Sequence, residues 1–331
     1  MKIMQKTNTK KRAATATREQ LILRVRDDLA KCGFFLTEPH NIRSVSFDVI
    51  ARRDNQLLVL KMLSNIDSLS QGDADDLRVL SSALGASPII VGLHSSAAEL
   101  DDGILYTRFG LPIVSERSFE TLMMEGVPPL VYAAPGGLYV RIDGETLRSV
   151  REAKSISLGT LAEAAGVSRK AIQMYESGMG AMVEIAARIE EFLDEPIVIP
   201  LDPFEFTTEM AANIRELEVI SDANNEIFDM LREIGYLVMP TRRCPFDAFA
   251  REEELLLTGI GGDDRLVERK ARVVGNLSRV TEKKSVIIIQ RDSRVKAIEG
   301  TPLVSKDELR RADHSEDLMK LIARRERRPK A

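Results

Sequence analysis

The run SLGTLAEAAGVSRKAIQMYESG, from Ser157 to Gly178, limits what its part of the chain can fold into more sharply than any other stretch. Ser157 and Ser168 stand where helix N-caps belong, each able to offer a side-chain oxygen to backbone N–H groups that a first helical turn leaves unpaired. Leu161, Ala162 and Ala165 recur at helical spacing after the first serine, and Ile172 and Tyr175 after the second. Two short helices, each with one inward face, satisfy that pattern. Gly166 provides the backbone freedom for a tight turn at Gly166-Val167, and the small Ala162 lets the helices cross closely. Arg169, Lys170 and Gln173 are left pointing outward at the start of the second helix. The following MVEIAARIEEFL predicts a further helix with Val183, Ile185, Ala186, Ile189 and Phe192 as its apolar positions.

From about Gly144 to Pro200 the sequence resembles the DNA-binding domain of the phage-repressor (Cro/CI, XRE) family, carried by the LAEAAGVSRKAIQMYESG run and its Glu176-Ser177-Gly178 ending. It departs from the family in the loop Met179-Gly180-Ala181, where a proline is usual. The resemblance implies that Ser168, Arg169, Lys170 and Gln173 face the major groove of double-stranded DNA, with Thr160 as a phosphate contact. Arginine and lysine can bond guanine there, and glutamine adenine. One such motif buries little surface, so a homodimer is expected, its two recognition helices about 34 Å apart.

The blocks on either side of this motif resemble each other. Phe47-Asp48 matches Phe246-Asp247, Ala51-Arg52 matches Ala250-Arg251, and Leu57-Leu58 falls on Leu255-Leu256. ASPIIVGL and KSVIIIQ follow at similar distances, and GLPIVS (Gly110 to Ser115) answers GTPLVS (Gly300 to Ser305). Ordered matches with similar gaps indicate two copies of one α/β unit. In the first copy the pattern predicts a helix over Glu19–Lys31, opened by a Thr17-Arg-Glu-Gln20 capping box. Strands at Asp48–Arg52 and Gln56–Met62, a helix over Gln71–Leu84, and strands at Ile89–Gly92 and Pro112–Val114 complete it. The second copy opens with a helix over Ala223–Ile234. Tyr132 and Tyr139-Val140 flank Pro135-Gly136-Gly137, a hairpin signal.

The repeated unit resembles the PD-(D/E)XK nuclease fold, on the strength of Phe47-Asp48-Val49-Ile50-Ala51, the strand Leu57 to Leu63, and Gln71 opening the next helix. Metal-dependent phosphodiester cleavage needs at least two carboxylates and a lysine near the attacking water. The family places the second acid and the lysine two residues apart on the hairpin strand. In LLVLKML, Lys61 can take the lysine position, with Val59 where the acid belongs, or the acid position, with Leu63 where the lysine belongs. Both registers leave Asp48 alone. The second copy has Asp247 and then Leu257-Thr258-Gly259-Ile260, with no lysine on that strand. Asp48 and Asp247 read as strand-end carboxylates that hold a turn. Two nuclease folds without catalysis are expected, a structure-selective nuclease being the alternative.

A net charge of -4 over 331 residues gives no global attraction to DNA, so contact must come from local patches. Cys32 and Cys244 are too few for a disulfide framework and lack zinc-binding neighbours; His40, His94 and His314 are scattered. No cofactor, metal or effector motif is read, and no membrane span or signal-peptide pattern, so a cytoplasmic protein is expected. The fold class reads as α/β plus all-α: two related restriction-endonuclease-like domains flanking a four- or five-helix XRE-type domain. The boundaries are a basic tail over 1–18, α/β domain over 19–126, hairpin connector over 127–143, helix-turn-helix domain over 144–200, second α/β domain over 201–318, and basic tail over 319–331. As a whole this order resembles archaeal HTH-type transcriptional regulatory proteins, which implies a sequence-specific, non-catalytic regulator.

Overall fold

The computed structural model describes residues 17–39, 45–205, 226–262 and 264–326. The basic amino-terminal stretch up to residue 16, His40 and the start of the expected Ala223–Ile234 helix lie outside them. The described residues fall into two compact units. One draws on Met1–Asp28, Met62–Leu69 and Ile89–Phe206, the other on Leu29–Lys61, Ser70–Pro88 and Thr207–Ala331. The block expected at 19–126 therefore contributes to both.

Helix α1 (Arg18–Lys31) begins on the expected capping box: Thr17 N donates to Gln20 Oε1 at 3.1 Å and Gln20 N to Thr17 Oγ1 at 3.4 Å. Its buried stripe is Leu21, Val25 and Leu29. In the first unit β4 (Ser87–His94) runs parallel to β6 (Leu111–Ser115), and β6 pairs antiparallel with β5 (Ile104–Arg108). Ser115 then caps α3 (Glu116–Glu125). Strand β7 (Val131–Ala134) joins β5 in parallel and folds back on β8 (Gly137–Ile142), the expected hairpin. That hairpin is more than a connector. β9 (Ala181–Met182) and β10 (Val198–Ile199) both pair with β8, so it is built into the helical domain that follows. Four helices make up that domain: α4 (Gly144–Ala153), α5 (Leu158–Ala165), α6 (Arg169–Glu176) and α7 (Val183–Leu193).

One inward assignment needs correction. On α7 the buried stripe is Ala186, Ile189 and Leu193, whereas Phe192 is 43% exposed. A step of one residue turns the helix by about 100°, and once Leu193 closes the stripe, Phe192 is carried outward.

The second unit holds β1 (Phe35–Leu36), β2 (Val49–Arg53), β3 (Gln56–Asn65) as far as Lys61, and α2 (Gln71–Leu84), the last with the expected limits. It also holds α8 (Glu226–Glu233) and a six-stranded mixed sheet. In order the strands are β11 (Leu237–Pro240), β12 (Ala248–Arg251), β13 (Leu255–Gly261), β14 (Lys284–Ile289), β16 (Thr301–Ser305) and β15 (Ala297–Ile298). β13, β14 and β16 are parallel and the outer pairs antiparallel, linked on one side by α9 (Asp264–Thr281). Within this unit the two repeats touch. Arg52 Nε donates to Val280 O at 2.9 Å, Glu38 N to Asn276 Oδ1 at 2.8 Å, and Ser46 N to Arg243 O at 2.9 Å.

The basic stretch expected as a tail from 319 begins inside a helix. α11 (Ser315–Glu326) buries Leu318 and Ile322, so Lys320, Arg324 and Arg325 belong to folded structure. The density of charge hid this apolar pair, four residues apart. Arg325 reaches back to Glu308, whose side chain also closes a capping box with Ser305 at the start of α10 (Lys306–Leu309). The Arg325 guanidinium, against the cost of burial and helped by the Ser305 N–H and Lys296, brings the Glu308 carboxyl down to about 2. The unfolded chain takes up that proton at higher pH than the fold does. The contribution is complete above the usual glutamate range and drains away as pH falls toward 2. Glu308→Gln is therefore expected to lower stability at pH 7 and to flatten the acid limb of an unfolding-versus-pH curve; an unchanged limb would show that the pair contributes nothing.

Candidate nucleic-acid interface

Both helices of the motif start on their serine caps. Ser157 Oγ accepts from Thr160 N at 3.0 Å and Ser168 Oγ from Ala171 N at 3.1 Å. Between them Gly166 adopts φ 71°, a left-handed conformation that glycine reaches without penalty. Val140, Leu147, Leu161, Ala165, Ile172 and Ile189 belong to one buried cluster that binds hairpin and helices together. An ion pair closes the group. The Glu176 side chain, only 3% exposed, receives Arg151 Nε at 2.5 Å and Arg148 Nε at 3.4 Å. Arg151 also donates to Ile156 O at 3.1 Å, which ties the α4–α5 link to the end of α6. A Cβ on Gly144 would sit 2.6 Å from Glu176 O, so the first residue of α4 has to be glycine for this approach. The loop that lacks the family's proline is held another way. A Cβ on Gly180 would lie 2.2 Å from the Tyr132 hydroxyl and 2.9 Å from Val140 O, so this glycine lets the loop lie directly on the hairpin.

The expected site residues are all exposed along the outer side of α6 and the start of α5, and they differ in what they can do. Ser168 is occupied as a cap acceptor, and its hydroxyl proton remains a donor. Thr160 is likewise engaged, its Oγ1 2.8 Å from Ser157 Oγ. Arg169 leans back over α5: a Cβ on Gly159 would be 2.9 Å from its Nε and Nη2. Lys170 and Gln173 project from α6 with Met174 beside them, 41% exposed. Met174 carries no hydrogen-bonding donor, and its place one residue after Gln173 is the sequence signal of its outward position.

The second candidate centre is the pair of strand-end aspartates. Asp48 N donates to Leu60 O and Asp247 N to Thr258 O, both at 2.8 Å. Continuing each antiparallel register sets Asp48 across from Lys61, and Asp247 across from Gly259. Lys61 is buried and donates to Ser46 O at 3.1 Å. It also helps to hold down Asp73 on α2, where burial works against the charge but is outweighed by Ser70, Arg243 and Lys61 together. In the second copy the cation comes from elsewhere. Lys270 of α9 passes over Gly259, whose added Cβ would be 3.0 Å from Lys270 Cδ, and binds Asp247 Oδ2 at 2.7 Å and Ile260 O at 2.7 Å. Asp247 Oδ2 also accepts from Ile260 N of β13 at 2.6 Å, so it bridges to the neighbouring strand and does not hold a turn. The lysine missed from sequence thus lies on the helix after the hairpin, where a strand motif cannot show it.

The Asp247 centre does not fit a divalent cation. No group of three His, Cys, Asp or Glu side chains among the described residues could hold a metal ion, and an ammonium already occupies the Asp247 oxygen. Burial pushes the Cys244 thiol up to about 12, which makes it a poor nucleophile. Lys270→Met is expected to cost roughly 1–2 kcal/mol, allowing for the partial exposure of the pair. Asp247→Asn added to it should cost much less than in the parent chain. A urea-unfolding cycle on the full chain checks this, and fully additive losses would mean that the pair is not coupled.

Comparison with known proteins finds two matched domains. A PD-(D/E)XK superfamily domain is matched over residues 18–129 and a helix-turn-helix domain over residues 147–199. A protein of Methanocella arvoryzae is 42% identical over 315 residues, covering 94% of this chain and 97% of its own. Proteins of Natronomonas pharaonis (36% over 314 residues; 93% and 99%) and Haloquadratum walsbyi (37% over 325 residues; 95% and 99%) are similar along their whole length. Each is named a "Putative HTH-type transcriptional regulatory protein". No solved structure matches. No helix among the described residues is long and apolar enough to cross a membrane.

Proposed function

Because the chain belongs to the archaeal family of HTH-type transcriptional regulatory proteins, we propose that it regulates transcription by reading one duplex DNA sequence with α6, without catalysis, in the cytoplasm. The observation that carries this reading is the outward face of α6, where Lys170 and Gln173 project from a helix clamped in place by Glu176. Gln173 would pair with adenine and Lys170 with guanine. Arg169, leaning over α5, together with Thr160 and Ser168, would follow the phosphates. The reading includes a homodimer on a two-fold symmetric site. It also keeps the domain boundaries given above, with two nuclease-like α/β domains flanking the helix-turn-helix.

The match over residues 18–129 favours a second reading, a structure-selective nuclease. Against it stand β3, which puts Val59 or Lys61 and no carboxylate at the second-acid position, and the lysine seated on Asp247. A polar partner is more useful at those aspartates for folding than for chemistry, and fold alone does not carry function.

The test is binding to a duplex selected from a random pool. Gln173→Ala is expected to lose about 1–3 kcal/mol on the selected duplex and little on scrambled DNA, whereas Arg169→Ala should weaken both alike and reduce the salt slope by about one. Equal binding by the parent and Gln173→Ala would remove α6 as the reading element.

A further inference from the structure

The recognition helix carries an apolar feature that its core does not use. Ile172 and Tyr175 of α6 enter the buried cluster and Met174 does not; it stays 41% exposed. Met179, also 41% exposed, lies beside it, since Met179 N donates to Met174 O at 3.0 Å. With Lys170, Gln173, Ser177 and Gly178 the two methionines line a shallow concavity of about 520 Å³ that contains one cation and no carboxylate. Single exposed apolar residues need no explanation. Two thioethers set together between a lysine and a glutamine on a DNA-reading helix point to a ligand that is apolar at one point and anionic around it.

Duplex DNA has one such feature in its major groove. The thymine 5-methyl is the apolar group displayed among base-edge donors and acceptors, close to the phosphates that would draw Lys170. Methionine suits it, because an unbranched, polarizable chain can follow a methyl group without exact shape matching. Resting on the regulator reading above, we propose that Met174, with Met179 behind it, reads a thymine methyl in the operator. The methyl would lie on the A·T pair whose adenine Gln173 bonds, or on the neighbouring pair. Met174 is thereby a specificity-determining residue, and the operator is expected to contain an A·T pair at that step.

The test uses the full chain and a duplex selected from a random pool, with deoxyuridine replacing thymidine at one position at a time so that only a methyl is lost. The parent chain is expected to bind about three- to tenfold more weakly when one or two particular methyls are removed. Met174→Ala should bind the thymidine and deoxyuridine duplexes equally well, and Met174→Leu should still tell them apart. Loss of no single methyl mattering to the parent would overturn the proposal. So would a methyl penalty that survives in both Met174→Ala and Met179→Ala. So, too, would a change of assembly in Met174→Ala by light scattering with methyl discrimination intact, which would assign the methionines to a second copy of the chain. Failure to select any duplex would contradict the DNA-reading assignment itself, an outcome distinct from selecting one that ignores methyls.

Discussion

The buried Glu176 is the point on which the reading face depends. An eight-residue helix in water is far below the length at which helices persist alone, so α6 has to be held by its surroundings. Glu176 does this from the far end of the helix, joined to Arg151 and Arg148 on α4. A charge buried this deeply is costly unless paired and hydrogen-bonded, and removing one partner of such a pair typically costs about 3–5 kcal/mol. The pair therefore acts less as a source of net stability than as a constraint on geometry. Gly144, packed on the Glu176 carbonyl, and Gly180, packed on the hairpin, let backbone come close enough for that geometry to close. Lys170 and Gln173 on the outward side of α6 lie outside that buried group.

The two flanking blocks share a strand order and differ at the aspartate each carries. In the first copy a lysine stands on the strand opposite the aspartate. In the second that position is glycine, and a lysine from the following helix crosses the vacated space. The cation comes from the strand in one block and from the helix in the other, while the aspartate is present in both. Asp247 is met by a backbone N–H and an ammonium of the chain itself.

Much of this was legible in sequence because it is local. Serine caps, the Gly166 turn and the helical spacing of Leu161, Ala165, Ile172 and Tyr175 are decided within a few residues, and Gln71–Leu84 announces both its ends. The repeat made the order of the larger elements readable as well. What escaped depends on distant partners. The Lys270–Asp247 pair joins residues 23 apart. The pairing of β9 and β10 with β8 makes the hairpin part of the helical domain, although nothing in either two-residue strand advertises it. Phe192 counts among the apolar positions of its helix, yet Leu193 beside it is the residue that is buried. The basic end of the chain read as a tail because charge outnumbered the two apolar residues that bury it. Among the site residues, position was legible and role was not: Arg169 sits at the head of α6, and its lean over Gly159 appears only in three dimensions.

On the proposed reading, the helix-turn-helix recognises DNA without a metal. The most direct measurement is a binding titration of the full chain on its selected duplex and on a scrambled one, in EDTA and in Mg²⁺, across a range of salt. The account predicts specific binding about a thousandfold or more tighter than non-specific binding. It also predicts affinity that falls steeply with salt, the same isotherm with and without Mg²⁺, and intact DNA at the end. Binding that requires Mg²⁺, fails to distinguish the two duplexes, or leaves cleaved strands would contradict it.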